Sequence, residues 1–357
     1  MGSAPHPRGF LRHIPALSRV DPNFWQRSDV SQISQGLLRE INAEAGVGSV
    51  CSPQHFCYAF VITFHISRFS EMRHLIAGGF AALLLTVSTA AAAAIKIVAA
   101  ENVYGDIARQ IGGPQVAVTS VLTNPDQDPH EFEASPSTAR AFADAAIVIV
   151  NGAGYDAWAG KLFAASPSPS RTVVAVAALL HKAAGDNPHV WYDPAAGPAL
   201  AEALAGIFAK LDPAHQADYQ RRLVAFRMSM KPLDSRIAKM RAKYSGTPVT
   251  ATEPVFGYMA AALGLDMRNA EFQLAVMNDT EPSASAIAVF EKDLRAQAVK
   301  VLLYNSQTSE ALTRRMRKIA VDSGVPVVGV TETEPPGEEY QQWMSSQLDA
   351  LDRALAR

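Results

Sequence analysis

Short runs of β-branched and apolar residues alternate with stretches of helical composition from Ala94 onward, and this alternation is the strongest constraint on the fold. In the first half the runs are IKIVAA, VAVTSVL, AIVIVNG and TVVAV. In the second half they are PVTATEP, a run near residues 266–272, VKVLLYN and VPVVGVT. Strands that alternate with helices at this spacing indicate parallel sheets covered on both faces. The sequence therefore predicts an α/β protein.

The two halves of this pattern resemble each other. SPSTARAFADAAIVIVNGAG in the first half and EPSASAIAVFEKDLRAQAVKVLLYNSQ in the second both contain a Pro-Ser pair, a helix, an apolar strand and a polar loop. We therefore predict two parallel-sheet lobes of similar design, an N-terminal α/β lobe over residues 95–211 and a C-terminal α/β lobe over residues 247–357.

Residues 212–246 separate the two lobes and are predicted to form one long linking helix. The segment opens with Asp-Pro, ends in Ser-Gly, and has Leu223, Phe226 and Met230 at helical spacing. Pro232 lies well inside it, where a proline costs about 3 kcal/mol. The expectation is a helix kinked at Pro232 or split into two helices.

Residues 72–94, MRHLIAGGFAALLLTVSTAAAAA, have the order of features found in a cleaved secretory signal peptide. A basic start is followed by an apolar run too short to span a bilayer comfortably and by small residues. A buried helix or a membrane anchor is the alternative, but a strand-like run follows at once. We interpret residues 1–71 as a non-native upstream extension, translated from a start codon placed too early, and expect a soluble periplasmic protein.

Charge and cysteine content narrow the function. The formal net charge is −2, and no run of Lys or Arg suggests an acidic partner, so we expect no nucleic-acid partner. Both cysteines, Cys51 and Cys57, precede the signal peptide, so the exported chain would have neither disulfide chemistry nor a lipid-anchored cysteine. The histidines that remain after Ala94 are His130, His181, His189 and His215.

Two of these histidines lie in distinctive segments. His130 follows a predicted strand in DQDPHEFEASPS, and the carboxyl ends of strands face the ligand crevice in α/β lobes. His189 lies in DNPHVWYDP, where two prolines restrict the backbone and an aromatic pair can pack the loop against a lobe. The alternatives are a surface-loop histidine for the first and a capping or packing histidine for the second.

Three carboxylates follow strands in the second half. Glu253 ends a strand in TATEPVFGYMA, where it could instead be only a favourable helix N-terminal charge. Glu332 and Glu334 lie just past an apolar strand in VTETEPPGEEYQQW. Two histidines from one lobe and two carboxylates from the other would form a four-ligand metal site across a cleft.

The segments DPHEFEASPS, NPHVWYDP, TEPVFGYMA, EPSA and VPVVGVTETEPPGEEYQQWM resemble the metal-binding solute receptors of bacterial ABC importers for zinc and manganese, the cluster A-I family. The likeness runs from about residue 95 to the end. It implies two α/β lobes joined by one long helix, a divalent ion between the lobes, a membrane permease of an ABC importer as partner, and a monomer.

By position, the resemblance implies His130, His189, Glu253 and Glu332 as metal ligands. The family usually has an aspartate in a Thr-Asp-Ser turn after the last strand, whereas this chain has TET, so Glu334 is the reserve for the fourth ligand. Two imidazoles and two carboxylates form a harder site than three imidazoles and one carboxylate, which favours Mn²⁺ or Fe²⁺. Zn²⁺ binds more tightly than either on intrinsic affinity, so all three ions stay open.

The expected mechanism is capture, in which the ion shifts the receptor toward a closed state that the permease recognises. One alternative is an exported metal-dependent hydrolase, with Glu131 or Glu133 as general base, although the chain has no H-E-x-x-H motif. A metal-independent adhesin is the other alternative.

Overall fold

The computed structural model describes residues 93–308 and 310–357. The predicted upstream extension, and the predicted signal peptide up to residue 92, lie outside these residues. Among the described residues, every helix is too short or too polar to cross a bilayer.

The first lobe is built on a parallel sheet of four strands in the order β2-β1-β3-β4. Its elements are β1 Ile95–Glu101, α1 Asn102–Gly112, β2 Val116–Leu122, α2 Pro136–Asp144, β3 Ile147–Val150, α3 Ala157–Ala165, β4 Thr172–Ala175, α4 Val176–Leu179 and α5 Ala196–Leu211. In the central strand β1, Ile97 is paired with residues of both β2 and β3.

Apolar residues on both faces of this sheet explain why its central strands are buried. Ile97 and Ile147 belong to the large core cluster on one face, whereas Val98 and Val148 belong to a second cluster on the other face, with Phe142 of α2. Because neighbouring residues of a strand point to opposite faces, an unbroken apolar run such as IVIV is suited to a sheet covered on both sides.

The second lobe repeats this plan, with a parallel sheet in the order β6-β5-β7-β8. Its elements are β5 Pro248–Ala251, α7 Gly257–Ala262, β6 Asp266–Arg268, α8 Ala270–Met277, α9 Ala284–Arg295, β7 Leu302–Asn305, α10 Ala311–Asp322, β8 Val327–Val330 and α11 Tyr340–Leu355. Helices α2 and α9, which precede equivalent strands, both begin after a serine whose hydroxyl accepts a backbone N–H of the first turn. The predicted α/β fold with two parallel-sheet lobes is confirmed.

The prediction of a strand near residues 266–272 was wrong beyond Arg268, where β6 ends. Asn269 has φ 61°, in the left-handed region that asparagine tolerates better than most residues. That backbone turn ends β6 after three residues, and α8 begins at Ala270.

Helix α6, Gln216–Tyr244, links the lobes as one continuous helix of 29 residues. It buries Leu223, Phe226 and Met230. Pro232 lies inside it but on the exposed face, so the carbonyl of Met228, which cannot bond to a proline nitrogen, is at the solvent side. The helix is not broken at Pro232. It begins at Gln216 and not at residue 212, because Pro213–His215 forms a separate 3₁₀ helix.

Contacts beyond α6 also join the lobes. Helix α11 packs on α6 and on α1 of the first lobe. The hydroxyl of Tyr340 donates to the carbonyl of Trp191 at 3.1 Å, and the Tyr340 backbone N–H donates to Asp106 at 3.1 Å. One hydrophobic cluster includes residues of β1 and β3 as well as Val249 of β5 and Leu303 of β7. The two lobes therefore share a continuous core.

Candidate metal centre

His130 is placed by a short turn after β2. Pro129–Glu131 forms a 3₁₀ turn, and the Asp128 carboxylate accepts the His130 backbone N–H at 2.9 Å. The imidazole of His130 packs edge-on against the ring of Tyr155, with the ring centroids 5.6 Å apart. The His130 side chain remains 29% exposed.

His189 is fully buried and precedes the 3₁₀ turn Val190–Tyr192. Asn187 Oδ1 lies 3.1 Å from the backbone N of His189 and 2.7 Å from its Nδ1. An amide oxygen only accepts, so Nδ1 carries a proton, and in the neutral ring Nε2 has the free lone pair. Nε2 is buried without a hydrogen-bond partner among the described residues. A buried, unpaired imidazole nitrogen of this kind is suited to coordinate a cation.

Glu253 follows β5 at the carboxyl edge of the second sheet. It is 4% exposed and immediately precedes the 3₁₀ turn Pro254–Phe256. Its Oε2 accepts a hydrogen bond from Asn305 Nδ2 at 2.8 Å, which leaves Oε1 directed toward the histidines.

Glu332 follows β8 and is fully buried. Its backbone N–H donates to Gln307 Oε1 at 2.6 Å, which fixes the turn. Its Oε1 accepts from Asn305 Nδ2 at 2.5 Å, and its Oε2 accepts from the Tyr155 hydroxyl at 2.7 Å. The carboxylate is thus oriented by contacts with both lobes.

These four side chains converge. Glu253 Oε1 lies 3.6 Å from Nε2 of His130 and 3.6 Å from Nε2 of His189. Glu332 Oε2 lies 3.7 and 3.5 Å from the same two atoms. One ligand atom from each residue falls within 4.8 Å of all the others. A tetrahedral zinc ion bound at about 2.0–2.1 Å needs ligand atoms about 3.3 Å apart, so the cluster is close to the dimensions of such a site.

The carboxylates change the protonation of the histidines. The Glu253 carboxylate raises the pKa of His130 to about 9, against the opposing effect of burial. Burial lowers the pKa of His189, but Glu253 and Glu332 outweigh it and raise the pKa to about 9. Protons and a metal ion therefore compete for the same two Nε2 atoms.

Glu334, the reserve ligand, lies outside the cluster. Its backbone N–H and C=O are both hydrogen-bonded to the side chain of Asn102, at 3.0 and 2.7 Å. Burial and the charge of Asp106 raise the pKa of its carboxyl to about 9. The structure therefore brings Glu332, and not Glu334, beside the histidines.

The remaining histidines and the candidate general bases also lie outside the four-residue cluster. His215 lies 2.6 Å from Asp212 near the end of α5, and exposed His181 is outside the cluster. Glu131 and Glu133, the candidate general bases of a hydrolase, are exposed and outside it as well.

Three supporting residues were missed by sequence reasoning: Asn187, Tyr155 and Asn305. Tyr155 lies in the segment that follows β3, and Asn305 is the last residue of β7. Residues at the carboxyl ends of parallel strands face the ligand, and this rule, which pointed to Glu253, could also have found Tyr155 and Asn305. Asn187, two residues before His189, makes a local side-chain contact typical of asparagine.

Known proteins resemble this chain in sequence and in fold. The sequence model of the family described as "Zinc-uptake complex component A periplasmic" matches residues 97–354. The manganese ABC transporter substrate-binding lipoprotein PsaA of Streptococcus mitis is 22% identical over 287 residues, which cover 74% of this chain and 90% of PsaA. The iron ABC transporter substrate-binding lipoprotein MtsA of Streptococcus pyogenes serotype M1 is 23% identical over 314 residues, which cover 79% of this chain and 98% of MtsA.

Among solved structures, the periplasmic zinc-binding protein TroA of Treponema pallidum superposes with a TM-score of 0.62 at 19% identity. The superposition covers 73% of this chain and 99% of TroA, and it shows a shared fold. Because the family model spans most of the sequence, the chain belongs to the zinc-uptake complex component A periplasmic family.

Proposed function

We propose that this protein is a periplasmic receptor that captures a divalent transition-metal ion and delivers it to the membrane permease of an ABC importer. The observation that carries the proposal is the convergence of two imidazoles and two carboxylates, with the buried Nε2 of His189 unpaired among the described residues. PsaA and MtsA are described as substrate-binding lipoproteins of manganese and iron ABC transporters, and TroA as a periplasmic zinc-binding protein. Their cargo is the class of ion that imidazole and carboxylate ligands bind.

The proposed ligands are His130, His189, Glu253 and Glu332. The histidines belong to the first lobe and the glutamates to the second, so an ion bound by all four ties the lobes together. Binding then favours the closed arrangement of the lobes, and the permease recognises that arrangement. Release to the permease requires at least one lobe to give up its ligands.

We further propose that the exported protein is monomeric, has no lipid anchor and does not bind nucleic acid. PsaA and MtsA are described as lipoproteins, but a lipid anchor requires a cysteine, and both cysteines of this chain precede residue 58. The formal net charge of −2 gives the protein no overall attraction to the phosphate backbone of a nucleic acid, which supports the last part of this proposal.

A metal-dependent hydrolase is the less suitable alternative. A catalytic metal keeps an open position for water, whereas four protein ligands complete a tetrahedral ion. The two candidate bases, Glu131 and Glu133, are outside the cluster. We therefore propose that the protein is not an enzyme and expect no turnover of peptide, ester or phosphate substrates by the metal-loaded form.

The test is competitive titration of the purified protein with Zn²⁺, Mn²⁺ and Fe²⁺, repeated with His130→Ala and His189→Ala. We expect tight binding by the wild type and a loss on the order of 100-fold in each variant. His181→Ala is the matched control, because His181 is exposed and outside the cluster, and it should bind like the wild type. Absence of binding in the wild type would favour a metal-independent adhesin, and tight binding that is unchanged in both ligand variants would place the ion at another site.

A further inference from the structure

We propose that Asn305 is a positioning residue that restricts both carboxylates to one metal contact each, and that it thereby favours four-coordinate Zn²⁺ over Mn²⁺. This inference rests on the proposed function as a metal receptor and adds to it a determinant of ion selectivity. Asn305 is not a ligand in the proposal, since it acts through Glu253 and Glu332.

The amide nitrogen of Asn305 faces both carboxylates. Asn305 Nδ2 donates to Glu253 Oε2 at 2.8 Å and to Glu332 Oε1 at 2.5 Å. The atoms that face the histidines are the opposite oxygens, Oε1 of Glu253 and Oε2 of Glu332. A primary amide has two N–H groups, so one Asn305 side chain occupies the second oxygen of both carboxylates.

The amide oxygen of Asn305 holds the side chain in this orientation. Asn305 Oδ1 accepts the backbone N–H of Gln307 at 3.0 Å, and the residue is only 3% exposed. A flipped amide would place its oxygen against two carboxylate oxygens and its NH₂ against a backbone N–H. Both of those contacts are repulsive, so the donor side stays toward the carboxylates.

Sheet topology explains why a single residue reaches both carboxylates. In the second sheet β7 lies between β5 and β8. Asn305 is the last residue of β7, Glu253 follows β5, and Glu332 follows β8. Because parallel strands end at the same edge of a sheet, the side chain from the middle strand lies between those from its neighbours.

The consequence concerns coordination number. Two imidazoles and two single carboxylate oxygens make four ligands, which is the usual number for protein-bound zinc. Manganese is typically six-coordinate with oxygen ligands, and bidentate carboxylates are one way to supply them. Here the second oxygens are already hydrogen-bonded to Asn305, and the rings of Tyr155 and Trp191 pack within 6.1 Å of the His189 ring centroid. In this proposal the contacts of Asn305 act against the preference for Mn²⁺ that residue types alone favour.

The experiment uses Co²⁺ as a spectroscopic probe with the full-length protein, because four-coordinate Co²⁺ absorbs visible light much more strongly than six-coordinate Co²⁺. The variants are Asn305→Ala, which removes the amide, and Asn305→Asp, which keeps its size but replaces the donor by a carboxylate. We expect an intense spectrum in the wild type that falls several-fold in both variants. In the same variants the ratio of Zn²⁺ to Mn²⁺ affinity should fall on the order of tenfold.

Gln273→Ala is the matched control. Gln273 is also a buried amide of the second lobe, but it donates to the backbone carbonyl of Arg268 at 2.6 Å and is outside the cluster. It should lower stability without changing the Co²⁺ spectrum or the affinity ratio.

Two results would overturn the inference while leaving the receptor function intact. One is a weak, six-coordinate Co²⁺ spectrum in the wild type, which needs no variant to fold. The other is an unchanged spectrum and affinity ratio in Asn305→Ala and Asn305→Asp. Failure of the wild type to bind Co²⁺, Zn²⁺ or Mn²⁺ at all would instead overturn the proposed function.

Discussion

At the scale of single residues, Asn187 decides which nitrogen of His189 faces the cluster. Its Oδ1 holds the Nδ1 proton at 2.7 Å, and its Nδ2 donates to the Pro254 carbonyl of the other lobe at 2.7 Å. An outer partner of this type orients the ligand ring and keeps the proton on Nδ1 when the ion displaces the proton from Nε2.

Asn187→Ala should therefore weaken metal binding by about 10- to 100-fold, measured by competitive titration. Asn187→Asp is the informative comparison, because it keeps the acceptor for Nδ1–H but loses the donor to Pro254. We expect a smaller loss in Asn187→Asp than in Asn187→Ala, and equal losses would assign the effect to the contact between lobes.

Metal affinity should fall as the solution becomes more acidic. The pKa of His130 and of His189 is raised to about 9, so both rings are protonated near neutral pH until an ion displaces the protons. Calorimetry in buffers of different ionisation enthalpy should detect the release of about two protons per ion near pH 7. An affinity that is the same on both sides of pH 7 would contradict this assignment.

The same pKa shifts act on folding with the opposite sign. Because the folded-state pKa values lie above the ordinary 6.5, the protonated rings stabilise the fold without metal below about pH 6.5. That contribution is lost as the pH rises through about 9.

Residue patterns could point to His130 and Glu253 because each follows a predicted strand, and to His189 because prolines and an aromatic pair surround it. They could not decide between Glu332 and Glu334, which occupy the same TET turn two residues apart. The choice depends on Asn102, a residue of the other lobe that holds the backbone of Glu334. Contacts so distant in sequence leave no local pattern.

At the scale of elements, helix α6 contains a proline that it accommodates only because the position is exposed. Pro232→Ala would restore an N–H to the carbonyl of Met228, so we expect the free energy of unfolding to rise by about 1–2 kcal/mol. The gain is smaller than the full penalty because proline also restricts the unfolded chain.

Urea denaturation of Pro232→Ala and of Lys231→Ala would measure this effect. Lys231 is exposed on the same helix and keeps its backbone N–H, so its substitution should change stability by less than about 0.5 kcal/mol. A Pro232→Ala variant less stable than the wild type would show that α6 needs the proline.

Element types were largely predictable from alternation, whereas element ends were not. The strand predicted near residues 266–272 is a short edge strand in the structure. It ends early because Asn269 adopts φ 61° and a helix begins after it. The sequence alone could not predict that α6 is continuous. That outcome depends on the exposure of Pro232, which is set by how the helix packs on α1, α5 and α11.

At the scale of the whole molecule, the shared core predicts that the lobes unfold together. Hydrophobic residues of both sheets belong to one cluster, so thermal unfolding without added metal should be a single cooperative transition. Two separate transitions in calorimetry would show that the lobes are independent.

Added metal should raise the Tm of this single unfolding transition. An ion at about 1,000 times its Kd contributes about 4 kcal/mol, which corresponds to a rise in Tm of roughly 10 °C for a chain of this size. His189→Ala should lose this shift, whereas His181→Ala should keep it. A metal-induced shift that survives in His189→Ala would place the ion elsewhere.

The partial exposure of His130 has a kinetic consequence. It is the exposed member of a set whose other three residues are buried, so water and an incoming ion meet its imidazole first. By microscopic reversibility, that imidazole is also the last to let go of a departing ion. The residence time then depends on the turn Pro129–Glu131, which contains His130. A permease that displaces this one turn can shorten the residence time without unfolding either lobe.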